Sequence, residues 1–327
     1  MIKYSFARFL TPRVLVGELN KMPPLHTPIM DMVYPESAQV NHPFSTIGYE
    51  DLPQGIKNIP LISRGSASYA LSTDGSKLRF IEPQNLTPSH FISAATLNDL
   101  NNLDITSQQQ FVNNKIDRLR RTTRASKEAL AAQSLSGKIA YDLRNADGAV
   151  EKFTVDFGNI HTVTASKKFD ANGTKLSDVI TTVGLMIAEI KKKSNATKFE
   201  GLMSWNVYAA IAELANNAST KLPVEVKGDS IGIGEAVFHV SSETYYDYST
   251  KQNVPVVGEK KLKLVGIDDG FRFFNCRLDS VAEGFASVPF AVREVKQDDP
   301  EGIKLIGQSR PMPIPNVDAI CDCTVLQ

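Results

Sequence analysis

The chain is poor in the residues that carry most small-site chemistry. It has three cysteines in 327 residues, one tryptophan and five histidines. Cys276, Cys321 and Cys323 are too few and too clustered for a disulfide framework, and they fit a reducing compartment. The five histidines, at 26, 42, 90, 161 and 239, show no ligand spacing. Cys321-Asp-Cys323 places two thiols on one strand face, but a zinc site needs two more ligands. Net charge is also absent, with 36 Lys+Arg against 36 Asp+Glu. That balance argues against a dedicated nucleic-acid or anionic-membrane binder and removes a barrier to self-association. No apolar run approaches the roughly 18 residues of a membrane span. The start, Met1 to Thr11, interrupts its apolar run with Lys3 and Arg8 and lacks a small-residue cleavage site, so a signal peptide is not expected. A soluble intracellular protein is expected. No Gly-x-Ser-x-Gly or His-Glu-x-x-His motif occurs.

What is present is an ordinary globular composition, 42% apolar and 22% charged, enough for a large core. Eight of the 17 prolines fall at 12, 23, 24, 28, 35, 43, 53 and 60. Proline breaks helices and central strands. Apolar residues without periodicity, such as Phe6, Phe9, Val14 and Met30, then suggest an extended arm lying on another surface. The alternative is an irregular N-terminal subdomain packed on its own chain. Residues 59–81 read as a hairpin around Thr73-Asp74-Gly75-Ser76, since Asp-Gly is a strong turn signal. With Ser63, Ser66, Ser68 and Ser72 outward, the hairpin needs a partner, in its own domain or in a neighbouring subunit.

A helix is expected over 106–136, capped by Thr106-Ser107 and ended by Gly137. Its apolar stripe, Val112, Ile116, Leu119, Thr123 and Leu130, is thin, which predicts a long strut buried on one side. Arg118, Arg120, Arg121, Arg124 and Lys127 form a basic face. It is either a solvated or salt-bridged face or a weak, sequence-independent phosphate contact; it lacks interleaved aromatics for base stacking. A hairpin over 138–157 follows, then amphipathic helices over 176–193 and from a Ser204 cap, the latter with Trp205, Tyr208, Ile211 and Leu214 inward. Strands are expected over 224–226, 236–240, 244–248, 261–265 and 271–275, with Lys251–Pro255 as a loop tip and a last strand over 319–326. The fold class is α+β. Gly228-Asp-Ser-Ile-Gly-Ile-Gly-Glu235 reads as a turn, because a strand rather than a helix follows it. Asp268-Asp269 and Asp298-Asp299 sit beside Gly or Pro and read as solvated loops. No catalytic residues, metal site or cofactor is expected.

The order of arm, polar hairpin, strut helix, hairpin, two helices and strand-rich end favours a self-assembling structural protein over an enzyme. Specific segments carry a resemblance: Ile62-Ser-Arg-Gly-Ser66, Leu119-Arg-Arg-Thr-Thr-Arg-Ala-Ser-Lys-Glu-Ala-Leu130, Leu135-Ser-Gly-Lys138, Val155-Asp-Phe-Gly158 and Gln308-Ser-Arg-Pro-Met-Pro313 with Asp318. The chain resembles the major capsid proteins of lambda-like tailed bacteriophages, the capsid E family. The resemblance implies a Hong Kong 97-type capsid fold, with an N-terminal arm over 1–58, an E-loop over 59–92, and a P-domain over 93–169 carrying spine helix 106–136. It further implies an A-domain over 170–300 and a C-terminal P-domain return strand over 301–327. The expected role is a shell subunit that forms hexamers and pentamers around double-stranded DNA, assembled in a host bacterial cytoplasm and resident in the virion. Scaffold, portal and decoration proteins and non-specific contact with packaged DNA are the expected partners, with no membrane. Ser63, Arg64, Gly65, Asp74 and Gly75 are the expected E-loop contacts to a neighbouring subunit, and the basic spine face is expected to meet the lumen or a neighbour. An encapsulin-like compartment shell on the same fold is the alternative.

Overall fold

A computed structural model describes residues 11–50, 78–145, 147–218, 223–248, 250–281 and 284–327. In chain order the first elements are α1 (Pro12–Lys21), α2 (Pro28–Val33), β1 (Gln39–His42), β2 (Ile47–Glu50), β3 (Leu78–Ile81), β4 (Ser89–Ser93), α3 (Ala94–Asn101) and α4 (Ile105–Ser134). Next come β5 (Lys138–Arg144), β6 (Val150–Asp156), β7 (His161–Thr164), α5 (Leu176–Lys191), β8 (Phe199–Met203) and α6 (Trp205–Asn216). The remainder is β9 (Val224–Val226), β10 (Ser230–Ile233), β11 (Ala236–Val240), β12 (Thr244–Asp247), β13 (Gln252–Pro255), β14 (Lys261–Gly266), β15 (Arg272–Cys276), β16 (Ala291–Asp298), β17 (Glu301–Gln308), β18 (Pro311–Ile314) and β19 (Ile320–Thr324). The chain forms two compact units, one of residues 1–47, 82–131 and 272–313, the other of residues 48–81, 132–271 and 314–327.

In the first unit the proline-rich segment carries two helices, α1 and α2, where extended chain was expected. Pro12 and Pro28 each occupy the first turn of a helix, after Thr11 and Thr27. The missing proline N–H is one of the four that no helix start can satisfy, and the fixed φ suits the helix. Proline therefore starts these helices rather than breaking them. Leu15, Ile29, Met30, Val33 and Tyr34 are fully buried. Leu15 joins Ile92, Leu97, Leu100, Val112, Ile116, Leu119, Val292 and Leu305 in one core. A sheet of order β16-β17-β4 and the ladder β1-β15-β18 complete this unit.

Helix α4 has 30 residues, about 45 Å. Its cap is Asp104, not Thr106-Ser107: Asp104 Oδ2 accepts the N–H groups of Thr106 at 3.1 Å and Ser107 at 3.3 Å. Gly137 ends it at φ +79, its N–H on the Ser134 carbonyl. The stripe Val112, Ile116, Leu119, Thr123 and Leu130 is buried as its spacing predicts. The expectation of burial on one side fails from Lys127 to Ala132, where six consecutive residues are buried. A second covering layer, α2, supplies the reason, as the geometry of Glu128 below shows.

In the second unit a seven-stranded sheet runs β7-β19-β14-β8-β11-β10-β9. Val179, Val183, Met186 and Ile190 of α5 and Val207 and Ile211 of α6 cover one face, against Phe199, Phe238, Leu262, Leu264, Cys321 and Cys323. Ser204 caps α6, its hydroxyl oxygen accepting the Val207 N–H at 3.3 Å. Trp205 is 57% exposed rather than inward and stacks on Tyr208; two residues before buried Val207, it lies about 200° around the helix from it. Gly234 turns at φ +60 between β10 and β11, whose pairing of Ile233 with Ala236 leaves a two-residue turn. Most of the expected loop tip 251–255 is instead a strand, β13, paired with β12; Lys251, at φ 55, belongs to the turn that precedes it.

Candidate functional site

The expected E-loop contacts Ser63, Arg64, Gly65, Asp74 and Gly75 lie outside the described residues. The five basic residues of α4 lie within them and divide into two groups. Arg118 and Arg121 are exposed. Arg120, Arg124 and Lys127 turn toward the chain's own N-terminal segment and the strands of the first unit. Arg120 Nη2 donates to the Pro23 carbonyl at 2.8 Å and to Asp117 at 3.2 Å. Arg124 donates through Nε to Thr27 Oγ1 at 2.8 Å and through Nη2 to Asp31 at 2.7 Å. Lys127 is buried, its ammonium donating to the Pro289 carbonyl at 2.7 Å and to Asn275 Oδ1 at 3.2 Å, and resting 5.6 Å from the Phe273 ring centre. Burial without a carboxylate partner, together with the nearby Arg124, pushes the Lys127 pKa down to about 7.

Glu128 faces the same segment. Its two carboxylate oxygens accept the N–H groups of Ile29 at 2.7 Å and Met30 at 3.0 Å, the first-turn donors of α2. A carboxylate there satisfies donors that the helix itself cannot. Burial still raises its pKa, against the lowering effect of those hydrogen bonds. Beside these groups lies a cavity of about 760 Å³, with Leu15 and Leu19 of α1, Phe290 and Val292, and the stems of Arg124 and Lys127 in its wall. Of the acids in its wall, Asp31 and Glu36, Asp31 is engaged with Arg124. The cavity walls hold no serine or cysteine nucleophile.

A second buried cation, Arg310, is nearly inaccessible, 4% exposed. Its Nε donates to the Pro83 carbonyl at 2.7 Å and its Nη1 to Asp279 at 3.0 Å. In the second unit Lys263 bonds Asp322 at 2.6 Å and the Leu135 carbonyl at 2.9 Å. Burial lowers the Lys263 pKa, and Asp322 opposes that shift. Cys321 and Cys323 share the buried face of β19, and burial pushes the Cys321 thiol up to about 12. They are packing residues, not thiolate nucleophiles. Among the described residues no cluster of His, Cys, Asp and Glu is arranged to hold a metal ion, and no helix is long and apolar enough to cross a membrane. Asp268 is exposed in a turn, as its Gly-flanked position predicts, and also accepts the Thr197 and Lys198 N–H groups at 3.0 and 3.1 Å.

Sequence reasoning missed Glu128, Asp31, Arg310, Glu82 and Asp279. The links of Glu128 to Ile29 and of Asp31 to Arg124 carry no local signal, because they span 99 and 93 residues. Arg310 stands inside a quoted motif, Gln308–Pro313, and an arginine between an apolar strand and two prolines was the available clue.

The profile described as phage major capsid protein E matches residues 11–325. No curated protein matches the sequence. Among solved structures, a prophage capsid protein of E. coli CFT073 superposes with a TM-score of 0.64 at 16% identity, covering 97% of this chain and 99% of that one. A phage-related protein of Bordetella bronchiseptica RB50 is 13% identical with a TM-score of 0.49, over 96% of each chain. The SrpI encapsulin of Synechococcus elongatus PCC 7942 is 11% identical with a TM-score of 0.43, over 97% of each chain.

Proposed function

The chain belongs to the phage major capsid protein E family, and from that premise we propose that it forms hexamers and pentamers that close into an icosahedral head shell around double-stranded DNA. As a member of this family it is a structural subunit of the virion that associates with copies of itself, not an enzyme. The observation that carries the reading is the family match over residues 11–325. The likeness to the prophage capsid protein over 97% of the chain supports the Hong Kong 97-type fold.

The parts are assigned on this basis. Residues 1–58 serve as the arm, 59–92 as the E-loop, 93–169 with α4 and the strand at 301–327 as the P-domain, and 170–300 as the A-domain. Ser63, Arg64, Gly65, Asp74 and Gly75 contact a neighbouring subunit. Of the basic spine residues, exposed Arg118 and Arg121 are the ones available to packaged DNA or to a neighbour. Scaffold, portal and decoration proteins are the further partners, and assembly takes place in the host bacterial cytoplasm.

The test is to express the chain with the other head proteins and recover particles by sedimentation. Shell-sized particles that protect double-stranded DNA from nuclease support the reading. Shell-sized particles holding a folded cargo protein and no DNA turn the assignment to an encapsulin-like compartment, and a chain that sediments only as monomer refutes shell formation.

A further inference from the structure

Residues 48–81 leave the first compact unit after Ile47 and return to it at Glu82. The stretches on either side of this excursion, 42–44 and 82–86, are both bonded to the short segment 276–279. At the departing end His42 pairs with Cys276 in a parallel ladder, the Ser287 hydroxyl donates to the His42 carbonyl at 2.7 Å, and the Arg277 N–H donates to the Phe44 carbonyl at 3.4 Å. At the returning end Arg310 Nε donates to the Pro83 carbonyl at 2.7 Å and Nη2 reaches Glu82 at 3.4 Å. The same guanidinium donates through Nη1 to the Arg277 carbonyl at 3.3 Å and to Asp279 at 3.0 Å. Asn85 reaches the same Asp279 oxygen at 3.2 Å, Leu86 and Ser309 exchange a pair of backbone hydrogen bonds, and the Arg310 carbonyl takes the Cys276 N–H at 2.8 Å. Arg277 thus receives the departing chain on its N–H and, through Arg310, the returning chain on its carbonyl.

We propose that Arg310 is the positioning residue that fixes residues 82–83 to segment 277–279, and with it the spacing between 42–44 and 82–86. A planar guanidinium can serve four acceptors at set angles, whereas an ammonium is a point donor and cannot. Both carboxylate partners are largely exposed while the guanidinium is buried. The acids reach in from the surface to hold a charge that the fold encloses. The inference deepens the shell reading, in which residues 82–83 belong to the 59–92 E-loop: that loop has to be held at one fixed place if every copy is to meet its neighbour alike.

The test uses the full chain with Arg310→Ala and Arg310→Lys. On the unassembled subunit, hydrogen exchange is read by mass spectrometry for peptides covering 78–86 and for peptides of β8 and β14. Both variants are expected to speed exchange at 78–86 at least ten-fold with β8 and β14 unchanged, and to lower closed-shell yield at least ten-fold with soluble subunit near the wild-type level. A uniform rise in exchange makes Arg310 a general stability residue and overturns the proposal, as does full rescue by Arg310→Lys or wild-type shell yield in Arg310→Ala. If Arg310→Ala yields no soluble chain, Glu82→Gln with Asp279→Asn decides. Faster exchange confined to 78–86 upholds the proposal, and unchanged exchange overturns it. Failure of the wild-type chain to form shells refutes the shell reading alone, because the exchange experiment needs no shells.

Discussion

The Glu128 carboxylate accepts the backbone N–H of Ile29 at 2.7 Å across 99 positions of sequence. It fastens α2 to the strut helix through donors that α2 cannot satisfy itself. Glu128→Ala leaves the Ile29 and Met30 N–H groups without their acceptor. The expected cost is about 1–3 kcal/mol of subunit stability, measured by urea unfolding, with faster trypsin cleavage after Lys21. Glu128→Gln keeps one acceptor oxygen, so a smaller loss is expected. Equal stability of Glu128→Ala and wild type would contradict this role.

The basic face of α4 divides by function. Arg124→Glu sets a like charge against Asp31 and is expected to lower the melting temperature of the unassembled subunit by several degrees. Arg118→Glu with Arg121→Glu alters exposed side chains, Arg121 losing its surface ion pair with Asp117, and is expected to lower that temperature less than Arg124→Glu does, surface pairs being worth little. The double variant is expected instead to lower the DNA retained by shells as salt is raised. Equal melting shifts in the two variants would contradict the division.

Lys127 gives the subunit a pH signature. Its pKa falls from 10.5 to about 7 on folding, so between those values the unfolded chain binds the extra proton. Stability then rises with pH across that window, by up to roughly 1.4 kcal/mol per unit from this group. Glu128 acts in the opposite sense in acid: its raised folded pKa favours the folded state below 4.5, and that contribution is lost as pH rises through the folded value. Thermal melts of wild type and Lys127→Met from pH 6 to 10 are expected to converge toward the alkaline end. Parallel curves would show that Lys127 keeps its ordinary pKa.

Gly201 is fixed by packing. An added Cβ would overlap the Phe238 ring and lie 2.6 Å from the Lys263 carbonyl oxygen, in the middle of the seven-stranded sheet. Overpacking of this kind costs about 1–3 kcal/mol or more. Gly201→Ala is expected to reduce soluble subunit at 37 °C while Gly184→Ala, with open space at its Cβ, does not. Normal yield of Gly201→Ala would contradict the packing account.

The parts of the fold legible in the sequence are those with local periodicity. The buried stripe of α4, the core faces of α5 and α6 and the alternation of β11, with Ala236 and Phe238 inward, all follow from spacing. What escaped depends on partners distant in sequence. The proline-rich start forms helices because Thr11-Pro12 and Thr27-Pro28 place proline at the one helical position that tolerates it, a distinction that a proline count cannot make. The basic face of α4 reads as a single patch because spacing alone cannot show that Thr27, Pro23 and Asp31 cover half of it. Arg310 stands in a recognisable motif, yet its positioning role depends on Pro83 and Asp279, 227 and 31 residues away.

The most direct test of the central claim is an electron cryomicroscopy image of the particles formed by the purified chain under assembly conditions. Closed icosahedral shells built of hexamers and pentamers are predicted, with density for this fold in every subunit. A field of dispersed monomers under those conditions would contradict it.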